Sequence, residues 1–170
     1  MGPDDESPVQ IVDAAAGERV QARPTPDGQG LVLLRESEGQ ITLTTLDLEG
    51  DEVSAPVRIP PADGPELPRF ARHPTAPLYL LGAQSGAARG LSLVQLETGA
   101  LTGIHARPTS AVVFSPDGSV VVSVEPTARG AQVISTTLDG AIEYVLVPAS
   151  PLVSEDELDW APPGEALVDS

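Results

Sequence analysis

The 170-residue chain contains no cysteine, no lysine and no asparagine. The lack of cysteine excludes disulfides, thiol catalysis and cysteine metal sites. Lysine and asparagine both use A-rich codons, so a GC-rich genome explains their absence, and a salt-adapted surface is the alternative. No apolar run reaches the ~18–20 residues of a membrane span. The acidic start, residues 1–6, does not fit the basic region of a signal peptide. We therefore expect no membrane insertion, and a cytoplasmic location by default unless the chain is a fragment.

Bases are scarce as well, and their distribution is uneven. The chain has 25 acidic and 9 basic residues, giving a net charge of −16. Residues 1–66 carry 14 acids and 4 arginines, residues 67–154 carry 5 of each, and residues 155–170 carry 6 acids and no base. The ends are therefore acidic and the middle is neutral. No basic stripe is present to neutralise phosphates, so we expect neither nucleic acid nor an anionic membrane as a partner. Solubility accounts for the excess of acid.

One pattern recurs along the chain: a proline turn followed by a run of β-forming residues. The copies are residues 24–28 before a run at 31–34, 70–76 before 78–81, 114–118 before 120–122, and 160–164 before 166–168. Their marker prolines, Pro26, Pro74, Pro116 and Pro162, are 48, 42 and 46 residues apart. A period of ~40–50 residues in a β-rich sequence is typical of propeller blades.

A second repeat lies between these markers and predicts the other strands. Residues 41–50, 91–99 and 133–140 alternate partly at period two and end in a glycine turn, as half-buried strands of hairpins do. Each turn opens onto another short β-run, at 53–59, 101–105 and 142–147. The sequence thus predicts an all-β propeller of four-stranded antiparallel blades. The predicted repeats are approximately 20–60, 66–107 and 110–148, with a fourth blade shared between residues 151–170 and 8–20.

These turns resemble the TolB-like family of β-propeller repeats, whose marker is an aromatic-Ser-Pro-Asp-Gly turn. Residues 114–118 match that marker fully, residues 24–28 lack the aromatic, and residues 70–76 lack Asp-Gly. Residues 160–164 have Pro163 where aspartate is expected. The resemblance covers nearly the whole chain. It implies the propeller fold but not one function, because such propellers serve many purposes. Family members typically have six or seven blades, whereas this chain can make at most four.

The resemblance also implies structural roles for the repeated residues. Phe70, Phe114 and Trp160 are expected to pack between blades. Asp27 and Asp117 are expected to accept hydrogen bonds from backbone amides in their own turns. Glycine is expected where a β-carbon would strain the chain. Those glycines are Gly28, Gly118 and Gly164.

Residues that carry chemistry are few. His73 and His105 are interpreted as ordinary surface or loop histidines, because a metal pair would need carboxylates from another blade. No Gly-x-Ser-x-Gly elbow is present, and the glycine-rich residues 84–90 lack the Lys-Ser/Thr ending of a phosphate loop. Acidic pairs such as Asp4-Asp5 lack the spacing of a calcium loop. The sequence therefore predicts no catalytic residue, no metal site and no cofactor.

Two functions remain open. A non-catalytic protein-interaction or scaffold module fits the lack of catalytic groups, and we expect a protein partner. The alternative is a propeller enzyme of the lactonase or peptidase-associated type, which needs a ring of acids and histidines at equivalent blade positions. The equivalent positions hold Asp27, Ala76, Asp117 and Pro163. A fragment of a larger propeller is also possible. The open blade edges predict either a monomer or a homodimer.

Overall fold

Twelve β-strands make up the fold. The computed structural model describes residues 15–61 and 67–150, and these contain no helix. Accordingly, no helix in the described ranges is able to cross a membrane. The strands are β1 (Arg19–Pro24), β2 (Gly30–Ser37), β3 (Gln40–Asp47), β4 (Val57–Ile59), β5 (Arg69–Arg72), β6 (Leu78–Ala83), β7 (Gly90–Gln95), β8 (Ala100–His105), β9 (Ala111–Phe114), β10 (Val120–Thr127), β11 (Gly130–Thr137) and β12 (Glu143–Ser150).

The strands form three four-stranded antiparallel sheets, and each sheet joins strands in chain order. The first sheet is β1 to β4, the second β5 to β8 and the third β9 to β12. Each strand therefore pairs with its neighbour in sequence through a short turn. The predicted all-β fold of four-stranded antiparallel blades is confirmed for the described residues. The predicted fourth blade, with its pieces at 8–20 and 151–170, falls almost entirely outside them.

The sheets pack face to face because side chains alternate along each strand. In β6, Tyr79 and Leu81 lie in the apolar cluster shared with Val32 and Leu34 of the first sheet. The intervening Leu80 lies in a second cluster with residues of the third sheet. The second sheet is thus apolar on both faces. Fully burying a side chain of this size contributes about 1.5–3 kcal/mol, so these two layers hold the sheets together.

One predicted strand is wrong in its extent. The run 53–59 was expected to be a strand, but β4 spans only Val57–Ile59. Pro56 lacks an N–H to donate to the ladder. Ser54 instead bonds to β3 through hydrogen bonds that each involve one side chain. Its Oγ accepts from the Thr45 amide at 2.9 Å, and its backbone carbonyl accepts from the Thr44 hydroxyl at 3.2 Å. Residues 53–56 therefore form an irregular connection at the edge of the first sheet.

Candidate functional site

The turn between β1 and β2 is closed by its own side chains. The Asp27 Oδ1 atom accepts from the Thr25 hydroxyl at 2.6 Å and from the Gln29 amide at 3.0 Å. These bonds, with the hydroxyl contributing most, lower the pKa of Asp27. Gly28 follows with φ of +71°, a conformation that glycine adopts without strain. The turn is therefore rigid and carries a permanent negative charge.

The turn between β9 and β10 repeats this arrangement. Asp117 Oδ1 accepts from the Ser115 hydroxyl at 2.6 Å and from the Ser119 amide at 3.0 Å. The Ser115 hydroxyl, followed by the Ser119 groups, lowers the pKa of Asp117 to about 2. Gly118 has φ of +73°. In both turns the aspartate organises the backbone and faces solvent.

A third turn of the same kind lies between β11 and β12, where the sequence predicted a glycine turn but not the role of Asp139. Asp139 Oδ1 accepts from the Thr137 hydroxyl at 2.6 Å and from the Ala141 amide at 3.0 Å. The proline repeat does not single out Asp139, because Leu138 stands where the other two turns have proline. The signal that identifies it is a hydroxyl residue two positions before Asp-Gly, which this turn shares with the other two.

His73 takes the place of aspartate in the second sheet. Its Nδ1 accepts from the amides of Thr75 and Ala76 at 3.2 and 3.0 Å. It is 9% exposed, and its ring meets Phe114 edge-on at 4.9 Å between centroids. The expectation of an ordinary surface or loop histidine is therefore wrong as to the surface. The side chain is buried because it fills the space between two turns of neighbouring sheets.

The two phenylalanines expected to pack between blades do lie between sheets. Phe70 is 5% exposed, in the cluster between the first and second sheets, and the Arg23 guanidinium lies 5.8 Å from the centre of its ring. Phe114 is 3% exposed, in the cluster between the second and third sheets. The other two residues singled out from the sequence, Trp160 and Gly164, lie outside the described residues.

His105 belongs to a buried ionic cluster between the second and third sheets. The Glu125 side chain is 2% exposed; its Oε2 accepts from Arg107 Nε at 2.7 Å, and its Oε1 lies 3.1 Å from His105 Nε2. Arg107 also contacts the Glu143 carboxylate. Burial and the Arg107 charge lower the pKa of His105, against the opposing effect of Glu125 and Glu143. His105 is therefore neutral near pH 7, and it too is not a surface histidine.

The Glu125 end of this cluster is closed to solvent. Ser123 lies two residues before Glu125 in β10 and hence on the same face. It is fully buried, so a substrate has no access to its hydroxyl. Within residues 15–61 and 67–150, no three histidine or acidic side chains lie close enough together to hold a metal ion. The cluster instead links three strands. Glu125 of β10 contacts both His105 of β8 and Arg107, and Arg107 contacts Glu143 of β12.

A groove between the first and second sheets is the candidate functional site. Its volume is about 1280 Å³. Four turns contribute to its walls: those joining β1 to β2, β3 to β4, β5 to β6 and β7 to β8. The apolar part of the lining is formed mainly by Pro26, Val53, Pro56, Pro74, Pro77, Tyr79 and Leu96. Proline fixes φ and donates no hydrogen bond, so these walls are stiff and apolar.

Charges lie at the rim of this groove. Asp27, Arg58 and Glu97 are exposed and line it. Among the described residues, neither Arg58 nor Glu97 forms an ion pair with another side chain. Burial raises the pKa of Tyr79, with Arg72 opposing and Asp27 reinforcing the shift. The Tyr79 phenol is therefore neutral at physiological pH, and the groove combines apolar walls with separated charges of both signs at its rim.

No family model and no curated protein matches the sequence. Solved structures do. A chain in the crystal structure of a nidogen/laminin complex is 11% identical, with a TM-score of 0.51 over 70% of this chain and 44% of that one. TolB from Acinetobacter baumannii is 18% identical, with a TM-score of 0.53 over 74% of this chain and 31% of that one. The chain spans less than half the length of either.

These neighbours are β-propellers, and at such low identity the likeness shows the fold alone. Three consecutive four-stranded antiparallel sheets, packed face to face, are successive blades of that fold. The chain is therefore a protein with β-propeller architecture. The residues of the groove come from turns, where propellers and other all-β scaffolds carry their variable functional surface.

Proposed function

We propose that the chain is a non-catalytic protein-interaction module that holds an extended peptide segment of its partner in the groove between the first two sheets. The observation that carries this proposal is the groove itself. Its volume of about 1280 Å³ exceeds the ~300–1,000 Å³ of most small-molecule clefts. Its walls are built by four separate turns from two sheets, so it lies between two blades rather than within one.

The lining supports recognition of a peptide rather than chemistry on it. Proline surfaces bind extended, apolar segments at low entropic cost, because their own conformations are restricted. Arg58 and Glu97, exposed at the rim and free of ion pairs among the described residues, are available to fix the direction of a bound segment through opposite charges. The Pro-Asp-Gly turn at residues 26–28 contributes to one wall, and its recurrence at 116–118 supports assignment to TolB-like repeats.

The test uses two variants of one connection. Val53 and Leu48 are both exposed apolar residues between β3 and β4, at 60% and 53%, but only Val53 lines the groove. Linear peptides selected from a phage-displayed library against the full chain serve as probes. Val53→Glu is expected to weaken the selected peptides by roughly tenfold or more, about 1.4 kcal/mol. Leu48→Glu is expected to leave binding unchanged.

Three results would contradict the proposal. One is a library that yields no peptide. Another is a set of peptides whose binding is equally sensitive to the two substitutions. A third is a set indifferent to both, which would place binding outside the groove. Because both side chains are exposed, both variants should retain the wild-type melting temperature, and the comparison is then free of folding effects.

A further inference from the structure

The turns that line the groove carry charge of one sign. Because each sheet joins antiparallel strands in chain order, its first and third turns lie at the same end, here called the groove end. In the first two sheets these turns contain no arginine, and their acidic residues are all exposed: Asp27, Glu49, Asp51, Glu52 and Glu97. Among the described residues none of these acids forms an ion pair, so no neighbouring cation cancels their charge.

The third sheet continues this pattern. His73, in the turn between β5 and β6, packs against Phe114 at the start of the turn between β9 and β10, so the third sheet points its first and third turns the same way. These turns add Asp117 and Asp139 and no arginine. The connections at the opposite end hold Arg89, Arg107 and Arg129, which the acids of those connections balance in the sequence: Glu38, Asp63 and Glu66. The fold therefore concentrates acid at the groove end.

The arginines nearest the groove do not remove this excess. Arg58 is the only base among the described residues that line it. Arg72 donates from Nη1 to the Thr25 carbonyl at 3.3 Å and is thereby held at the strand end. On the acidic side, the Thr25 hydroxyl and the Gln29 amide bond to Oδ1 of Asp27 and lower its pKa, so a charged carboxylate lines the groove.

We propose that the partner segment in this groove is basic, with arginine or lysine placed among its apolar residues. The inference rests on the proposed function and specifies the chemistry of the occupant. Arginine and lysine combine an apolar stem with a cationic head. The stem suits the proline-lined walls, and the head suits the carboxylates of Asp27 and Glu97 at the rim. A guanidinium group also binds a carboxylate through two parallel hydrogen bonds, which fixes its orientation.

Charge argues against the other available occupants. Residues 1–14 contain four acids, residues 151–170 contain six, and neither segment has an arginine. A second copy of the chain carries −16. Each of these would bring like charge to the acidic rim, which disfavours association. A basic segment of a different protein is instead attracted from a distance, because opposite charges steer the encounter.

The first test uses the phage-displayed peptides whose binding Val53→Glu weakens, since these are the groove binders. They are expected to be enriched in arginine and lysine relative to the unselected library. Replacing those residues by glutamine in a synthetic copy should weaken binding by roughly tenfold. Raising NaCl from 0.1 to 1 M shortens the Debye length from about 10 to about 3 Å. It should therefore weaken the basic peptide and leave its glutamine version unchanged.

The second test uses two substitutions of equal charge in the full chain. Glu97 and Glu38 are both exposed glutamates in turns, but only Glu97 lines the groove. Glu97→Lys is expected to weaken the basic peptide by about fivefold, whereas Glu38→Lys should change its affinity by less than about twofold. Because both side chains are exposed, both variants should keep the wild-type melting temperature.

The outcomes separate this inference from the proposed function. Groove-binding peptides without basic residues, or tighter binding of the selected peptides to Glu97→Lys, would overturn the basic occupant and leave the groove as a peptide site. Equal weakening by Glu97→Lys and Glu38→Lys would assign the effect to net charge and overturn the role of the rim. A selection without any groove binder would overturn the proposed function and this inference together.

Discussion

The ring of His73 lies directly against Gly118, so closely that a β-carbon built on Gly118 would sit 2.1 Å from His73 Nε2. The two residues belong to neighbouring sheets. His73 closes the turn between β5 and β6, and Gly118 lies in the turn between β9 and β10. Glycine is therefore required at position 118 for two independent reasons, its positive φ and the contact with the histidine ring.

Gly118→Ala should consequently destabilise the protein more than Gly28→Ala. The two glycines share almost the same φ, but a β-carbon on Gly28 has no atom within 4 Å. Gly28→Ala carries only the cost of positive φ, about 1–2 kcal/mol. Gly118→Ala adds an overpacking cost of about 1–3 kcal/mol. Urea unfolding of both variants measures the difference. Equal losses of unfolding free energy would show that the His73 ring accommodates a β-carbon at position 118 without cost.

The lowered pKa of Asp117 predicts an acid-labile contribution to stability. The folded pKa of about 2 lies below the ordinary aspartate value of 3.8. The charged form therefore stabilises the fold above about pH 4, and this contribution disappears as the pH falls towards 2. Asp117→Asn should be less stable than the wild type at pH 7, and the difference should shrink on acidification. Urea unfolding as a function of pH measures it.

Ser115→Ala is the control for the cause of that shift. The Ser115 hydroxyl contributes most to the lowered pKa. Its removal should raise the pKa of Asp117 towards the ordinary value, as read from NMR titration of the Asp117 carboxyl carbon. An unchanged titration would mean that the Ser119 amide and hydroxyl suffice to keep the pKa of Asp117 low.

The buried carboxylate of Glu125 is stabilised by Arg107. The more exposed Glu143 contacts the same guanidinium, so the two pairs can be compared by substitution. Arg107→Gln leaves Glu125 buried without its cation, which should cost about 3–5 kcal/mol. Glu143→Gln removes only the exposed partner of Arg107 and should cost less than about 1 kcal/mol. Thermal and urea unfolding compare the two. Similar losses would show that Glu125 is stabilised by groups other than Arg107.

His105 adds a second pH dependence of stability. It arises from a base, whereas that of Asp117 arises from an acid, but both lower stability as the pH falls. Its pKa is lowered in the folded chain, so the unfolded chain binds more protons below the ordinary histidine value of 6.5. Stability should therefore decline as the pH falls below about 6.5. His105→Gln should flatten the profile between pH 7 and 5. A profile with the same slope in this variant would assign the effect to other groups.

Trp160 is the only tryptophan, so its fluorescence tests its expected role directly. Phe70 and Phe114 occupy the equivalent repeat position and pack against the preceding sheet. If Trp160 packs likewise on the third sheet, its emission is blue-shifted relative to free tryptophan and is protected from acrylamide. Deletion of residues 1–13 should then destabilise the shared fourth blade. Emission of a fully solvated indole would contradict this packing.

The parts of the fold that the sequence predicted are those governed by neighbours in the chain. Proline turns at a regular period and alternating β-runs located the strands, because hairpin geometry is local. The dependence of Glu125 on Arg107, and of His73 on Gly118, involves residues 18 and 45 positions apart. No periodic pattern marks such pairs. The groove likewise could not be predicted from the sequence. It forms only after two sheets pack, from four turns that are up to about 70 residues apart in the chain.

Every strand ladder in the described residues joins strands that follow one another in the chain. Forming such a ladder requires closure of only a short turn, and the entropy lost in closing a loop grows with its length. For a β-protein the chain therefore has unusually little long-range topology to assemble, and folding speed rises as contacts become more local. Each sheet is able to nucleate as a meander on its own, and the slow step becomes the docking of finished sheets through Tyr79, Leu80 and their neighbours.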